Sequence, residues 1–447
     1  MKSFFHYCQG ESHKSSNKPC QDCAYAESSP ELSIAIVCDG HGGERYFRSQ
    51  KGSELAVDVT KNAIKEFLKQ LNNSSFTRNK QAPLFVGESF TDFFAESSTA
   101  EQAEKAEHQA LIQLFSFIIS EWNQQIALDA KTRELTEWEH EHVEQQYQDE
   151  FIAKRDDPEA TFEKTYGCTL MAYVQTKKFW FAFHIGDGKF VEFNCIDGNL
   201  VCSQPIPWDE RCFLNKTTSL CDSNALERFR YCYQGNGQFP LAVFLGSDGL
   251  DDSYGDGDNL YNFYIEIFKL YIRNLIGQSK GNNRKKKKRN YKSEDRAKNE
   301  TEKALKRDLP KISKIGSKDD MSVAAILDES CPIDVFITLT DFQESKLLDY
   351  ESSMNEKLNA LNEKVLQFGN PELLETSQLI ELQYAQNDRK RVQTNLDKNK
   401  KRIASLRRER TNFLKIHAPK KLAEFKNKSS NDTSLSLNFG TDDLKEE

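Results

Sequence analysis

Four short apolar runs in this chain each meet an aspartate where the run stops or starts. "SIAIVCDGHGG" reaches Asp39, "FWFAFHIGDG" reaches Asp187, "LAVFLGSDG" reaches Asp248, and "KDDMSVAAIL" carries Asp319 just ahead of its apolar residues. Runs of this length bounded by glycine turns predict buried strands, and one Asp-Gly by itself reads as nothing more than the turn. Repetition changes that reading. Strand ends in a sheet sandwich converge on one edge, so the pattern predicts several carboxylates facing one cleft. Like charges held that close resist ionising unless a cation neutralises them. Hard oxygen donors suit Mg²⁺ or Mn²⁺, and two such ions about 4 Å apart lower the pKa of a water and clamp an in-line displacement at phosphorus.

The rest of the sequence surrounds this pattern with helices and insertions. "GSELAVDVTKNAIKEFLKQL" places Leu55, Val59, Ile64, Phe67 and Leu68 on one helical face. Residues from about 73 to 160 are polar and Glu/Gln-rich apart from "ALIQLFSFIISEWNQQIAL", which predicts a core helix within an insertion. A second insertion is expected at about 278–310, holding the basic run Arg284 to Arg289, whose plain reading is a solvated loop. "CTLMAYVQTKKFWFAFHIGDG" predicts a hairpin around "TKK". Beyond residue 335, Leu347, Met354, Leu361 and Phe368 repeat at heptad spacing, and a second seam runs from Leu382 to Phe413. Arg389, Asn399 and Arg410 interrupt that second seam, which favours an antiparallel helical hairpin over 335–425 to a long zipper. The Ser/Asn/Asp-rich residues 426–447 read as a disordered tail.

Bulk properties narrow the function. A net charge of -8 over 447 residues argues against a dedicated nucleic-acid binder. No apolar stretch approaches the roughly 20 residues that a membrane helix requires, and the first residues lack a signal-peptide pattern, so a soluble cytoplasmic protein is expected. The odd count of 11 cysteines, several in strand-like contexts, predicts reduced thiols. Cys20 and Cys23 have CxxC spacing but no second pair at zinc-ribbon distance.

In this order, "VCDGHGG", "GCTL", "HIGDG", "GSDGLDD" and "SKDDMS", preceded by "KPCQDCA", resemble the motifs of the PPM family, the metal-dependent type 2C serine/threonine protein phosphatases. The resemblance spans residues 13 to 328. It implies an α+β fold, a four-layer α-β-β-α sandwich of two antiparallel sheets, within a phosphatase domain over 1–330. It also implies hydrolysis of phosphoserine and phosphothreonine in a phosphorylated protein substrate, opposing a serine/threonine kinase. Asp39 would bridge two Mg²⁺ or Mn²⁺ ions, the Gly40 carbonyl would bind one, and Asp248 and Asp319 would complete the other's shell. Asp187 and Asp248 correspond to a third metal site with Asp252 nearby, and Asp22 would orient metal-bound waters. His41 is the expected general acid, its ordinary pKa suiting proton delivery to a departing oxygen; the plain alternative is a turn histidine.

Three departures stand out. Gln21 occupies a position where many relatives have glutamate, and "GDG" replaces "GDS". Asn17 stands where many relatives place a phosphate-gripping arginine, leaving Lys18, His13, Lys14, Arg45 and Arg48 as substitutes. These departures keep open a catalytically weak phosphoprotein-binding or scaffold protein, with the helical hairpin recruiting a partner. A two-metal nuclease using the basic run has little support from the net acidity.

Overall fold

The structure, a computed structural model, describes residues 1–71, 85–88, 99–213, 216–234, 238–277 and 293–423. The basic run and the expected tail lie outside the described residues. Eleven strands occur among them: β1 (Lys2–Cys8), β2 (Cys23–Ser28), β3 (Leu32–Cys38), β4 (Phe85–Glu88), β5 (Leu170–Thr176), β6 (Trp180–Ile185), β7 (Lys189–Ile196), β8 (Asn199–Ser203), β9 (Arg230–Gln234), β10 (Ala242–Gly246) and β11 (Met321–Leu327). They form one sheet in the order β1-β11-β10-β7-β8 and another in the order β2-β3-β5-β6-β9-β4.

The apolar runs are unbroken because both faces of each central strand are buried. In β3, Ile34, Ile36 and Cys38 face a core shared with helices, whereas Ala35 and Val37 face the core between the sheets. Two-residue periodicity divides one sequence between two layers. The inter-sheet core joins Met171, Tyr173 and Trp180 of one sheet to Val243, Leu245 and Ile326 of the other. Helices Ser49–Gln70 and Thr99–Thr132 cover the six-stranded sheet through Ala56, Ile64, Phe115 and Trp122. On the five-stranded sheet, Phe4 stacks on Tyr271 and Phe244 stacks on Tyr264 of helix Gly257–Ile276. Helix Ser293–Ile315 follows, with Leu305 and Leu309 buried. The result is the expected sandwich of two antiparallel sheets between helical layers.

Strand direction brings the aspartates together. β3 and β6 are each antiparallel to β5, so they run the same way and deliver Asp39 and Asp187 to one edge. β10 and β11 are antiparallel with Gly246 opposite Val323, so the end of one and the start of the other bring Asp248 and Asp319 to a common edge.

Contacts divide the chain into two compact units, the first comprising 1–196 and 201–330 and the second 197–200 and 331–447. Within the second, helices Pro332–Gln367 and Thr376–His417 run antiparallel: Phe336 stacks on Phe413 with ring centroids 3.7 Å apart, while Asn399 meets the Leu347 carbonyl at 2.8 Å. The polar residues that interrupt the apolar seam have different fates. Asn399 is buried and donates to that carbonyl, Arg410 pairs with Asp341 and Glu344, and Arg389 faces solvent.

Candidate active site

A cleft of about 1640 Å³ opens in the first unit, lined by Asp39, Gly40, His41, Asp187, Asp248, Asp252 and Asp319, and also by His13 and Gln21. The carboxylates at the four strand ends therefore share one concavity. Asp39 and Asp248 share a hydrogen bond between their carboxyl groups. Burial pushes Asp39 well above the usual carboxylate range, reinforced by the Asp22 and Asp248 charges. Burial likewise raises Asp248 to about 6, and Asp187 and Asp319 add to the effect. Asp187 is raised by burial against an opposing hydrogen bond from Thr217, whereas Asp252 sits exposed at the rim.

Asp22 is buried away from the cleft opening. Neither of its carboxylate oxygens makes a hydrogen bond of normal geometry among the described residues, although the Ser247 and Ser322 hydroxyls are close enough to act on it. Burial and then the Asp320 charge raise its pKa, with the Ser247 and Ser322 hydroxyls pulling the other way. Gln21 donates from Nε2 to Ser49 Oγ, but its buried Oε1 also lacks a partner among the described residues. Buried oxygens of this kind cost free energy unless something neutralises them. Hard oxygen donors that lack a well-formed hydrogen bond, together with the Asp39–Asp248 carboxyl pair, fit a divalent cation. Gly40 fits the same cradle, because a Cβ there would meet the Gln21 carbonyl at 2.7 Å and the Ser49 carbonyl at 2.9 Å.

His41 stands at the cleft wall with its ring edge-on to Tyr46, centroids 4.8 Å apart. Its N–H donates to the Gly167 carbonyl at 3.0 Å, and its carbonyl accepts from Ser49 Oγ at 2.9 Å. Gly167 is required here, since a Cβ would lie 2.7 Å from His41 Cδ2. Burial lowers the His41 pKa to about 4, opposed by the Asp222 charge.

Asp320 is a site residue that the strand-end pattern does not single out. It is buried, accepts the Gly10 N–H at 2.6 Å and the Gln21 N–H, and lies 2.9 Å from His13 Nδ1. His13 Nε2 is 4.0 Å from Asp319, which is itself exposed. The only signal in the sequence was the doubled aspartate of "SKDDMS".

The substitutes for the missing arginine separate clearly. His13 reaches the cleft, whereas Lys18 donates from Nζ to the Gly42 carbonyl beside it. Lys14 and Arg45 are exposed, Arg45 lying 5.7 Å from the Tyr46 ring. Arg48 is not free to swing toward a phosphate: it is buried and bound to Glu139 at 2.6 Å. Lys164 and Lys216 also line the cleft, and Lys164 lies 3.6 Å from Asp222.

A search of curated proteins finds no match for this chain. Among solved structures, a bacterial serine phosphatase is 14% identical, with 74% of this chain and 99% of that chain covered and a TM-score of 0.34. The catalytic domain of the serine/threonine phosphatase PstP, in complex with two manganese ions, is 13% identical, covering 73% and 98% at a TM-score of 0.35. Stp1 from Staphylococcus aureus is 13% identical, covering 74% and 96% at 0.35. The family model for protein phosphatase 2C matches residues 9–284, more than half of the chain. The chain belongs to the protein phosphatase 2C family.

Proposed function

We propose that this protein hydrolyses phosphoserine and phosphothreonine in phosphoproteins, working against a serine/threonine kinase, with a pair of Mg²⁺ or Mn²⁺ ions held at the strand-end carboxylates. The observation that carries the reading is the Asp39–Asp248 carboxyl pair together with the buried oxygens of Asp22 and Gln21 that lack a well-formed hydrogen bond. Asp39 and the Gly40 carbonyl would hold one ion, with Asp39, Asp248 and Asp319 around the other. Asp187, Asp248 and Asp252 would hold a third, and Asp22 would order water beneath them. Bound divalent cations supply the charge neutralisation and Lewis acidity that make water a nucleophile near neutral pH.

The protein's own residues do the rest. Carboxylates that repel one another without a ligand become the rigid, correctly spaced donors that exclude reorganisation from the reaction. His41 delivers a proton to the departing serine or threonine oxygen. Its ring is neutral at pH 7 in the free protein because its pKa is about 4. The substrate's phosphate dianion adds to the Asp222 charge in favouring the imidazolium, so acid competence arrives with the substrate. His13, which lines the cleft where the other candidates for the arginine's role do not, is the proposed phosphate contact, with Lys18 supporting the Gly42 turn. All eleven cysteines are free thiols, which supports a reducing, cytoplasmic setting.

Phosphate release from a phosphothreonine peptide and from p-nitrophenyl phosphate tests the proposal. Activity should require Mn²⁺ or Mg²⁺ and vanish with chelator. Silence on both substrates at millimolar Mn²⁺ would leave the scaffold reading in its place.

A further inference from the structure

We infer that the buried ion pair between Arg48 and Glu139 positions His41, so that the inserted helices contribute to catalysis through the turn that carries this histidine. The inference rests on the reading of His41 as proton donor.

Arg48 is a hub. Its Nε donates to Glu139 Oε1 at 2.6 Å, and Nη2 donates to Glu139 Oε2 at 3.2 Å and to the Glu134 carbonyl at 2.8 Å. Nη1 donates to the Tyr166 hydroxyl at 3.1 Å, and that hydroxyl donates to Asp129 at 2.8 Å. The guanidinium also lies over the Phe151 ring, 4.5 Å from its centroid. Its partners come from inserted helices: Asp129 from Thr99–Thr132, Glu139 from Glu137–His142, and Phe151 from Gln145–Arg155. Arg48, Glu139 and Asp129 are each less than 10% exposed, at 6%, 5% and 8%.

The connection to His41 is one residue long on two sides. Ser49, the neighbour of Arg48, donates its hydroxyl to the His41 carbonyl at 2.9 Å. Gly167, the neighbour of Tyr166, accepts the His41 N–H at 3.0 Å. Arg48 N–H also donates to the Thr165 carbonyl at 3.0 Å, tying the two segments directly. Both backbone polar groups of His41 are therefore held by residues whose immediate neighbours meet in the hub. Shifting Arg48 against Tyr166 shifts the two backbone anchors of His41 with it.

Charge burial gives the arrangement a reason. A buried ion cluster is weak evidence for stability, because desolvation offsets much of the attraction. What a bidentate arginine–carboxylate contact adds is a fixed direction and distance. That property matters for a proton donor, whose efficiency falls steeply with misplacement.

The test uses the full chain saturated with Mn²⁺ and compares Arg48→Lys and Glu139→Gln with wild type. Both variants keep side-chain volume while removing the bidentate ion pair. Measured quantities are kcat and KM on a phosphothreonine peptide and on p-nitrophenyl phosphate, the melting temperature, and bound Mn²⁺. An alkoxide leaving group needs the proton and a nitrophenolate does not. The expected result is a fall of about tenfold or more in kcat on the peptide, with aryl phosphate turnover, KM and Mn²⁺ content within about twofold. His41→Ala, run alongside, should show the same split between substrates. If His41→Ala shows no split, the donor reading itself fails. If His41→Ala splits the substrates and neither hub variant does, the positioning role is overturned. Losses confined to melting temperature, or falling equally on both substrates, assign the hub to stability alone and overturn it as well.

Discussion

Two groups of buried charge lie close together along the chain and are treated in opposite ways. Around Asp39, carboxylates of one sign gather near buried oxygens that lack a well-formed hydrogen bond, and burial together with their mutual repulsion raises the pKa of Asp39 and Asp248. Around Arg48, a guanidinium meets Glu139, Asp129 and the Tyr166 hydroxyl in a closed network. The first group is incomplete without a ligand; the second completes itself. Burial alone therefore does not mark a functional site: a deficit of counter-charge does.

Substitutions should separate the two regions. Removing charge from the deficient one should help the fold and end the chemistry. Asp39→Asn is expected to lower turnover on a phosphothreonine peptide by about 10³-fold or more while raising the melting temperature of the chelator-treated protein. A lowered melting temperature there would contradict the deficit. The hub should respond in the opposite sense, since Arg48→Met leaves Glu139 buried without its cation, whereas Asp129 keeps Arg133 at 3.0 Å. A loss of about 3–5 kcal/mol in urea unfolding is expected, and a loss below about 1 kcal/mol would show that the network is dispensable.

A smaller effect should come from the seam between the regions. Gly167→Ala pushes a methyl into His41 Cδ2 and Tyr46, so peptide turnover should fall by about 10²-fold with bound Mn²⁺ unchanged. Full activity in that variant would detach His41 from the reaction. The smallest effect is in pH dependence. Asp248 titrates near 3.8 when unfolded and near 6 when folded, so the folded metal-free protein holds the proton more tightly. Its stabilising contribution is complete below about 3.8 and is lost as pH rises through about 6. Thermal melts of chelated protein between those values should fall with rising pH, and saturating Mn²⁺ should abolish the slope.

How much of this was legible in sequence follows from which contacts are local. The strands ending at Asp39, Asp187 and Asp248 were readable, since an apolar run and its glycine turn are adjacent in the chain. Their convergence followed from antiparallel pairing. Asp320 was not distinguishable from Asp319, because its burial is imposed by the Gly10 and Gln21 amides, some 300 residues away. The partnership of Arg48 with Glu139 spans 91 residues, and no periodicity records it. Arg48 in isolation resembled a mobile surface cation, and only its packing partners show otherwise. In the second unit, Asn399 and Arg410 were legible as interruptions of a seam, but the Leu347 carbonyl and the Asp341 and Glu344 carboxylates that receive them were not.

Calorimetric titration of Mn²⁺ into the chelator-stripped full chain decides whether the strand-end carboxylates form an unsatisfied cation site. Uptake of at least two Mn²⁺ ions is expected, tightening as pH rises from about 5 to about 7 as Asp248 and its neighbours release protons, with the first of these ions lost in Asp39→Asn. No uptake at millimolar Mn²⁺, or equal uptake by the wild type and Asp39→Asn, would contradict it.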